Sequence, residues 1–520
     1  MKKQKVRKIG FFASLAISVS SVIGIGIFFK NISIFKNQVI ASASNPPISQ
    51  FSIYSFLLVW ILGGLISLLT AYCFIQVGKS HNSKSGLAGW IRHFSSPIQG
   101  NIAKVAHAIF YYGILCSILP ILSTEMIFQA VATIRGISVE QIPFIYVVLT
   151  GIFVYLAILA INFLALNVMV AIQKFSFFFK IVPLAIAIII AFVGSATNPT
   201  INTTTPNLGT EYVPSTHGFN WSGLFLSLPI VLFAFDSFLS IGNLASDMAK
   251  PKQIPLVSVL TIVIAAVIYF LISLGVGLTG YPNVVQIFSI IVKNKPNLVK
   301  GLQIAIYLLL GVSGYFVCNS ISLATLRSHQ ALVEEKQILG YQWLHKLNLK
   351  KSGLGGLVLQ LIFYFGFILI VGLISIFTKQ DSILDALTNL PVTIFFLVYA
   401  YAIFLAWKDS IKQQKEASTI FKIVAPITIL LIAFIMGFDL FYKNLYLLIQ
   451  KQPSNSGVFY PYPNWTYFIE GIIFWTVLAI FIIFLVLNYF IVRKNHKKEQ
   501  WQDFNSLAFG NFLANNNHTN

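Results

Sequence analysis

Apolar stretches of about 20 residues alternate with short polar or basic segments along nearly the whole chain. Because a membrane-spanning helix needs about 20 mostly apolar residues, each stretch predicts one spanning helix. The pattern predicts about twelve spans, at residues 9–29, 51–77, 104–131, 142–164, 171–194, 221–244, 255–280, 301–326, 354–377, 383–407, 420–442 and 466–492. The predicted fold class is therefore an all-α, polytopic membrane protein.

The composition agrees with this pattern and narrows the possible functions. Hydrophobic residues make up 57% of the chain and charged residues only 10%, which is too little charge to cover a soluble surface. The net charge is +20, but the basic residues are spread through the loops, so nucleic acid is not a predicted partner. The 3 cysteines each lie within an apolar run, so we predict no metal or other cofactor.

The distribution of lysine and arginine predicts the orientation of the chain. The side that carries both termini holds 25 of these residues and the opposite side 9, so both termini are predicted to be cytoplasmic, in a multi-pass protein of the plasma membrane. The predicted organisation is a basic N-terminal tail (1–8), a five-helix repeat (9–194), an extracellular loop (195–220), a second repeat (221–407), two further helices (408–492) and a disordered cytoplasmic tail (493–520).

Two of the apolar stretches contain residues that break helices at mid-depth. The first span carries Gly24 and Gly26 in its middle, preceded by two serines. The sixth contains Pro229 and then Asp236, a carboxylate that is costly in a membrane unless it is paired or hydrated. The glycines can alternatively serve close helix packing. Breaks in the first helix of each of two five-helix units indicate an inverted-repeat transporter with its binding site between them.

The exposed ends of broken helices favour one class of ligand. The N-terminus of a half-helix offers unpaired N–H groups and partial positive charge to a carboxylate. Freed carbonyl oxygens at the other ends can accept hydrogen bonds from an ammonium group. Together these groups favour a zwitterion that carries both charges, and an amino acid is such a molecule.

The same segments resemble the amino acid–polyamine–organocation permeases, which have a leucine-transporter-like fold. The run from Val19 to Phe28 is similar to the first helix of that family, although its Ile25 replaces a usually small residue. The run from Leu232 to Pro255 resembles the sixth helix, with the usual acidic pair reduced to Ser246-Asp247. The predicted substrate-binding residues are Ser20, Ser21, Val22, Ile23, Gly24, Ile25 and Gly26 of the first break and Phe233, Ala234, Phe235 and Asp236 of the second. In relatives, the aromatic residue at the position of Phe233 covers the substrate.

Lys180 stands out because it lies inside the fifth span. One interpretation is a snorkelling lysine whose ammonium group reaches the cytoplasmic interface. The other is a desolvated lysine that exchanges a proton and couples transport to the proton gradient. The family resemblance implies the second, since sodium-independent members carry a lysine where sodium-coupled relatives bind sodium. We expect Ser322 and Thr325, which share a helix face, to lie near it, although such side chains often bond only their own backbone.

Two carboxylates inside the spans have open roles. Asp236 either binds a cationic group of the substrate or caps the broken helix and pairs with a polar neighbour. Glu125, near the outer end of the third span, is expected to pair with Arg135 or to face an outer vestibule.

These observations predict a secondary active transporter that imports amino acids by alternating access, coupled to protons or independent of sodium. Its predicted partners are an amino acid or polyamine, protons and membrane lipids. A polyamine or cationic amino acid permease or exchanger is one alternative, and a membrane sensor that binds solute without moving it is another. An enzyme is not predicted, because no convergent set of catalytic groups is evident. A channel is not predicted either, because no filter motif repeats.

Overall fold

The computed structural model describes residues 10–24, 26–40, 50–80, 86–197, 213–215, 218–236, 238, 253–292, 294–412, 418–460 and 464–516. Its first half consists of α1 (Phe11–Val22), α2 (Gly26–Asn37), β1 (Val39–Ile40), β2 (Gln50–Ser52), α3 (Ile53–Ser80), α4 (Gly86–Phe94), α5 (Pro97–Ala106), α6 (Tyr112–Arg135), α7 (Phe144–Leu164), α8 (Leu166–Thr197) and β3 (Val213–Ser215). A π-helical segment, His107–Tyr111, joins α5 to α6.

The second half continues with α9 (Trp221–Phe235), α10 (Ile254–Thr279), α11 (Phe288–Ile291), α12 (Pro296–Glu334), α13 (Tyr341–Lys350), α14 (Leu354–Phe367), α15 (Leu373–Thr378), α16 (Ser382–Lys412), α17 (Thr419–Phe438), α18 (Leu447–Ile449) and α19 (Tyr467–Asn516). π-Helical segments join α14 to α15 (Ile368–Gly372) and α17 to α18 (Asp439–Tyr446). Short 3₁₀ turns lie at Val139–Gln141 and Val284–Ile287.

The prediction of an all-α polytopic membrane protein is confirmed. In the described part of the chain, 10 helical segments are long and apolar enough to cross a membrane. The other two predicted spans fall on α1 with α2 and on the shorter apolar helix α9. The total of twelve stays a prediction, since residues 239–252, which follow the break in the sixth predicted span, lie outside the described part.

Several helices extend beyond their predicted ends. The first apolar run was expected to end near Phe29, but α2 continues to Asn37 and carries Lys30 within it. That extension is possible because the lysine has a buried counter-ion, described below. α19 continues as helix to Asn516, through most of the predicted disordered tail. No proline interrupts this segment, and proline is the residue that most strongly ends helices.

A small sheet lies between the ends of α2, α3 and α9. β1 and β2 pair antiparallel, with Val39 opposite Phe51, and β2 and β3 pair parallel, with Phe51 opposite Pro214. β3 belongs to the segment 195–220, which the sequence predicted to be an extracellular loop. The described part of that segment is therefore tied to the helices instead of running free.

Close helix contacts bring the two halves of the chain together. α2 packs on α9, α1 on α10, and α12 on both α6 and α8. At the start of α9, the side chain of Asn220 accepts a hydrogen bond from the N–H of Gly223 (2.8 Å) and caps the helix. A Cβ on Gly223 would lie 2.0 Å from the carbonyl oxygen of Asn37, so only glycine fits where α2 ends against α9.

Candidate functional site at two helix breaks

The first predicted break is present between α1 and α2. α1 ends at Val22, and Ile23 adopts an extended conformation (φ −77°, ψ 110°) while its N–H still bonds to the carbonyl oxygen of Val19 (2.8 Å). Gly24 lies against α12, because a Cβ there would be 2.9 Å from Cγ2 of Val317. The absence of a Cβ at this position therefore lets the break pack closely against α12. Ile25 and the side chains of Ser20 and Ser21 lie outside the described part.

The second break follows α9. The helix ends at Phe235, and Asp236 is extended (φ −67°, ψ 176°), with its N–H bonded to the carbonyl oxygen of Phe233 (3.3 Å). This geometry frees the last carbonyl groups of the helix from their usual partners. The predicted pair Ser246-Asp247 lies outside the described residues.

One tyrosine holds the two breaks together. The hydroxyl of Tyr269, in α10, lies 3.1 Å from the carbonyl oxygen of Val22 and 3.2 Å from that of Ala234, and donates its proton to them. A Cβ on Gly26 would lie 3.6 Å from Cα of Ala234, so the two broken segments are in van der Waals contact. Sequence reasoning missed Tyr269, because a tyrosine in an apolar run gives no signal of its contacts.

The two phenylalanines of the second break have different environments. Phe233 is half-buried and lies near Gly26, with Cε1 3.8 Å from the position of a Cβ there. Phe235 is fully buried, and its ring contacts Trp60 and Tyr269 at centroid distances of 6.3 and 5.2 Å. Phe233 thus borders the first break, whereas Phe235 belongs to the packed core.

A buried ion pair lies beside Phe233 on the side that the basic residues predict to be outer. The ammonium group of Lys30 is 2.5 Å from Oδ1 of Asp385 in α16 and 2.5 Å from Oγ1 of Thr388. It also lies 5.1 Å from the centre of the Phe233 ring, within the range of a cation–π contact. The hydroxyl of Ser33 donates to Oδ2 of Asp385 (3.0 Å). These contacts join α2, α9 and α16 above the breaks.

The carboxylate of Asp236 is bound by phenol groups. The hydroxyl of Tyr111 donates to Oδ2 at 2.6 Å, and that of Tyr399 to Oδ1 at 3.5 Å. Tyr111 lies in the π-helical segment between α5 and α6 and stacks on His107, with ring centres 4.8 Å apart. Asp236 therefore has polar partners from two other helices, as one of its two predicted roles requires.

The predicted coupling residues lie on α8 and α12. Lys180 is buried (2% exposed), and its helix packs on α12. The hydroxyl of Thr325 donates to the carbonyl oxygen of Ile321 (2.7 Å) and contacts Sγ of Cys116 on α6 (3.3 Å). Ser322 is also buried, and its carbonyl oxygen accepts from Nε2 of Gln360 (3.3 Å). Thr325 thus bonds its own helix, as the simpler interpretation expected.

The structure gives no indication of a metal centre in the part it describes. Within the described ranges, no group of three or more histidine, cysteine or acidic side chains is arranged to hold a metal ion. The cysteines Cys73, Cys116 and Cys318 are buried and not in disulfides.

The chain is thus a helical membrane protein in which two helices break and meet face to face. The profile of the amino acid permease family matches residues 9–469, and the chain belongs to that family. A protein of Mycoplasma pneumoniae (strain ATCC 29342 / M129 / Subtype 1), described as an uncharacterized protein, is 22% identical over a match of 308 residues, and the match covers 54% of this chain. The chain spans 52% of the length of that relative.

Proposed function

We propose that this protein is a secondary active transporter that imports amino acids across the plasma membrane by alternating access, with both termini cytoplasmic. The observation that carries the proposal is the position of Tyr269, whose hydroxyl binds the carbonyl oxygens of Val22 and Ala234 at 3.1 and 3.2 Å. Two carbonyl groups, one from each break, converge on one donor. An ammonium group is a donor of the same kind with three protons.

The carboxylate of the substrate would bind the N-terminus of α2. That helix begins at Gly26, and its first N–H groups have no partner within the helix. The partial positive charge at a helix N-terminus favours an anion there. The substrate-binding residues of this proposal are those of the first break, from Ser20 to Gly26, and those of the second, Phe233 to Asp236, with Phe233 as cover.

Binding requires the two broken segments to separate. Gly26 and Ala234 are in direct contact, and the Lys30–Asp385 pair lies above them on the predicted outer side. In the described conformation this route is therefore closed at the outer face. Alternating access then consists of hydrating this pair and parting the breaks to admit the substrate, followed by release on the other side.

Coupling is proposed to involve Lys180, with Ser322 and Thr325 on the neighbouring helix. A lysine that is 2% exposed inside an apolar helix is stable only when its charge is compensated or its proton is lost. Exchange of that proton would drive accumulation without sodium.

The test is uptake of labelled amino acids into proteoliposomes, screened by competition with all amino acids and polyamines at two pH values. We expect accumulation under an inward proton gradient and none without the protein. If amino acids bind but never accumulate, the protein acts as a solute sensor and the transport proposal is wrong. Preference for polyamines or cationic amino acids would favour the alternative permease or exchanger, an idea supported by the carboxylate of Asp236 at the second break.

The coupling proposal has its own variant. Lys180→Ala removes the ammonium group, so proton-driven accumulation should fall more than about tenfold, while exchange of labelled for unlabelled substrate persists. Lys174→Ala, a change of another lysine in the same helix, serves as the control. Full accumulation by the Lys180 variant would remove this residue from the coupling mechanism.

A further inference from the structure

Glu125 is a buried carboxyl group for which the mechanism above has no role. It lies in α6 with 0% of its surface exposed, and in the described part of the chain no hydrogen-bonding partner reaches either carboxyl oxygen. The predicted pairing with Arg135 is therefore not seen. Its neighbours on the helix are bonded: the hydroxyls of Ser123 and Thr124 donate to the carbonyl oxygens one turn earlier, those of Leu119 and Pro120.

The two charged groups that act most strongly on Glu125 have the same sign as an ionised glutamate. Asp381 and Asp385 lie at the start of α16, a helix that packs on α6, and both act on Glu125 electrostatically. Lys30, a cation of this region, pairs with Asp385 at 2.5 Å. An ionised Glu125 would therefore add an uncompensated buried negative charge beside a pair that is already neutral, which is strongly unfavourable.

The neighbouring carboxylates hold a segment that covers the predicted outer face. We call residues 453–460 the outer loop. The N–H groups of Val458 and Phe459 donate to Oδ2 of Asp381 (2.9 and 2.8 Å), and the N–H of Gly457 donates to Oδ2 of Asp385 (3.0 Å). The closed outer loop thus depends on hydrogen bonds to the carboxyl groups of Asp381 and Asp385.

The outer loop also rests on the first broken helix. The ring of Phe459 contacts Phe29 with centres 5.7 Å apart, and Nδ2 of Asn455 donates to Oδ1 of Asn37 (3.0 Å). Tyr460 packs on Phe144 at the start of α7 (4.8 Å). Closure of the outer loop is therefore closure over α2, the helix that carries Lys30.

We propose that Glu125 is a proton-binding residue that must be protonated for the outer loop and the Lys30–Asp385 pair to close. A proton from the outer solution binds one carboxylate oxygen while the face is open and hydrated, and it leaves by the same route when the face reopens. Asp381 is less suited to this role, because two backbone N–H groups already stabilise its ionised form. The inference rests on the proposed function, in which this face admits the substrate.

The direction of the pH effect follows from the two states. The closed state holds Glu125 protonated and the open state holds it ionised, so acid on the outer side favours closure and alkali favours opening. Besides Asp381, Asp385 and Tyr460, the titratable groups near Glu125 include Tyr315 on α12, whose hydroxyl lies 2.9 Å from that of Thr124. A phenol does not change charge over the neutral range, so it does not compete for this role.

The first test measures closure directly. Phe29 is 2% exposed beneath Phe459, so a thiol at this position becomes accessible only when the outer loop opens. The variant Phe29→Cys is made in a protein whose three native cysteines are replaced by alanine. Its reaction with a membrane-impermeant maleimide then reports opening. Because the thiol itself ionises as the pH rises, the labelling rate is divided by that of an exposed cysteine measured at the same pH. The corrected rate should rise up to about tenfold per pH unit with Glu125 present. With Glu125→Gln, a permanent mimic of the protonated form, it should stay low and change less than about twofold.

Matched variants identify the titrating group. Glu140→Gln removes an exposed acid from the turn that follows α6, and its labelling should keep the parent's pH dependence. Glu125→Asp keeps an ionisable group and should restore a pH dependence that Glu125→Gln lacks. The proposal is wrong if Glu125→Gln labels with the parent's pH dependence.

The second test is the external pH dependence of initial uptake, which should be weaker in Glu125→Gln, where only the contribution of Lys180 remains, and kept in Glu140→Gln. An unchanged profile in Glu125→Gln would overturn the proposal. If the native protein binds amino acids without accumulating them, the transport function fails and the labelling result alone decides the role of Glu125.

Discussion

Two layers of the molecule close in different ways. The first, which we call the break layer, consists of the two helix breaks and closes through tyrosine hydroxyls. Tyr269 donates to the carbonyl oxygens of Val22 and Ala234, and Tyr111 donates to Asp236. The outer layer, on the predicted outer side, closes through buried lysines. Its members are Lys30 with Asp385 and Lys443 with Glu470, both pairs at 2.5 Å.

The difference assigns the two layers different tasks. A hydrogen bond between a phenol and a carbonyl group contributes only about 1 kcal/mol net, because either partner can bond to something else. The break layer can therefore exchange its own donors for those of a substrate. A buried ion pair has no comparable substitute except water, since removing one partner leaves an uncompensated charge. In the proposed mechanism, the outer layer thus responds to hydration, and the break layer to the ligand.

The largest effect is expected from breaking the outer layer. Asp385→Ala leaves the ammonium of Lys30 buried without its counter-ion and removes the acceptor for Gly457, so stability should fall by about 3–5 kcal/mol. Uptake should be lost with it. The measurement is the midpoint of denaturant-induced unfolding in detergent, together with the uptake rate. The double variant Lys30→Met/Asp385→Leu is the control, because an apolar pair of similar size should recover most of the stability. Equal loss in the double variant would mean that packing, not charge, closes this layer.

An intermediate effect is expected where a charge lies in the break layer. Asp236→Asn keeps an acceptor for the Tyr111 hydroxyl but removes the charge, and hydrogen bonds to charged groups contribute about 1.5–3 kcal/mol. We expect uptake of neutral and cationic amino acids to slow by similar factors, because the carboxylate is held by phenols and anchors the break. Tyr111→Phe should give the same pattern. A selective loss of cationic substrates would instead favour the cationic permease alternative.

The breaks could be predicted from the sequence because their signals are local. It is unusual for a membrane helix to contain two glycines separated by one residue, whatever surrounds them. An aspartate within an apolar run is equally unusual. The all-helical fold follows from the apolar stretches in the same way. The surroundings of the proposed coupling residues were harder to predict. Which face of α12 lies towards Lys180 depends on how the helices pack, and no single stretch of sequence encodes that packing.

The closing groups could not be predicted because their partners are distant in the chain. Lys30 and Asp385 are separated by 355 positions, and Tyr269 lies 247 positions after Val22. Lys30 suggested the end of the first span, since an unpaired lysine belongs outside the membrane. Lys30 can lie inside a buried helix only because α16 lies beside α2 and supplies its counter-ion, Asp385.

The smallest effect is expected from Tyr269→Phe, which removes one hydroxyl from the break layer and keeps the ring packed on Trp60 and Phe235. Stability should fall by about 1–2 kcal/mol, because two buried carbonyl groups lose a donor. Tyr364→Phe is the matched control: its ring is equally buried and stacks on Tyr155, and no partner in the described part of the chain binds its hydroxyl. That change should cost little or nothing. If the substrate ammonium takes the place of the Tyr269 proton, Tyr269→Phe should also lower the KM for amino acids, since the carbonyl groups are then free before the substrate arrives. A raised KM would mean that the hydroxyl itself binds the substrate. The tyrosine would then be part of the recognition site instead of a donor that the substrate displaces.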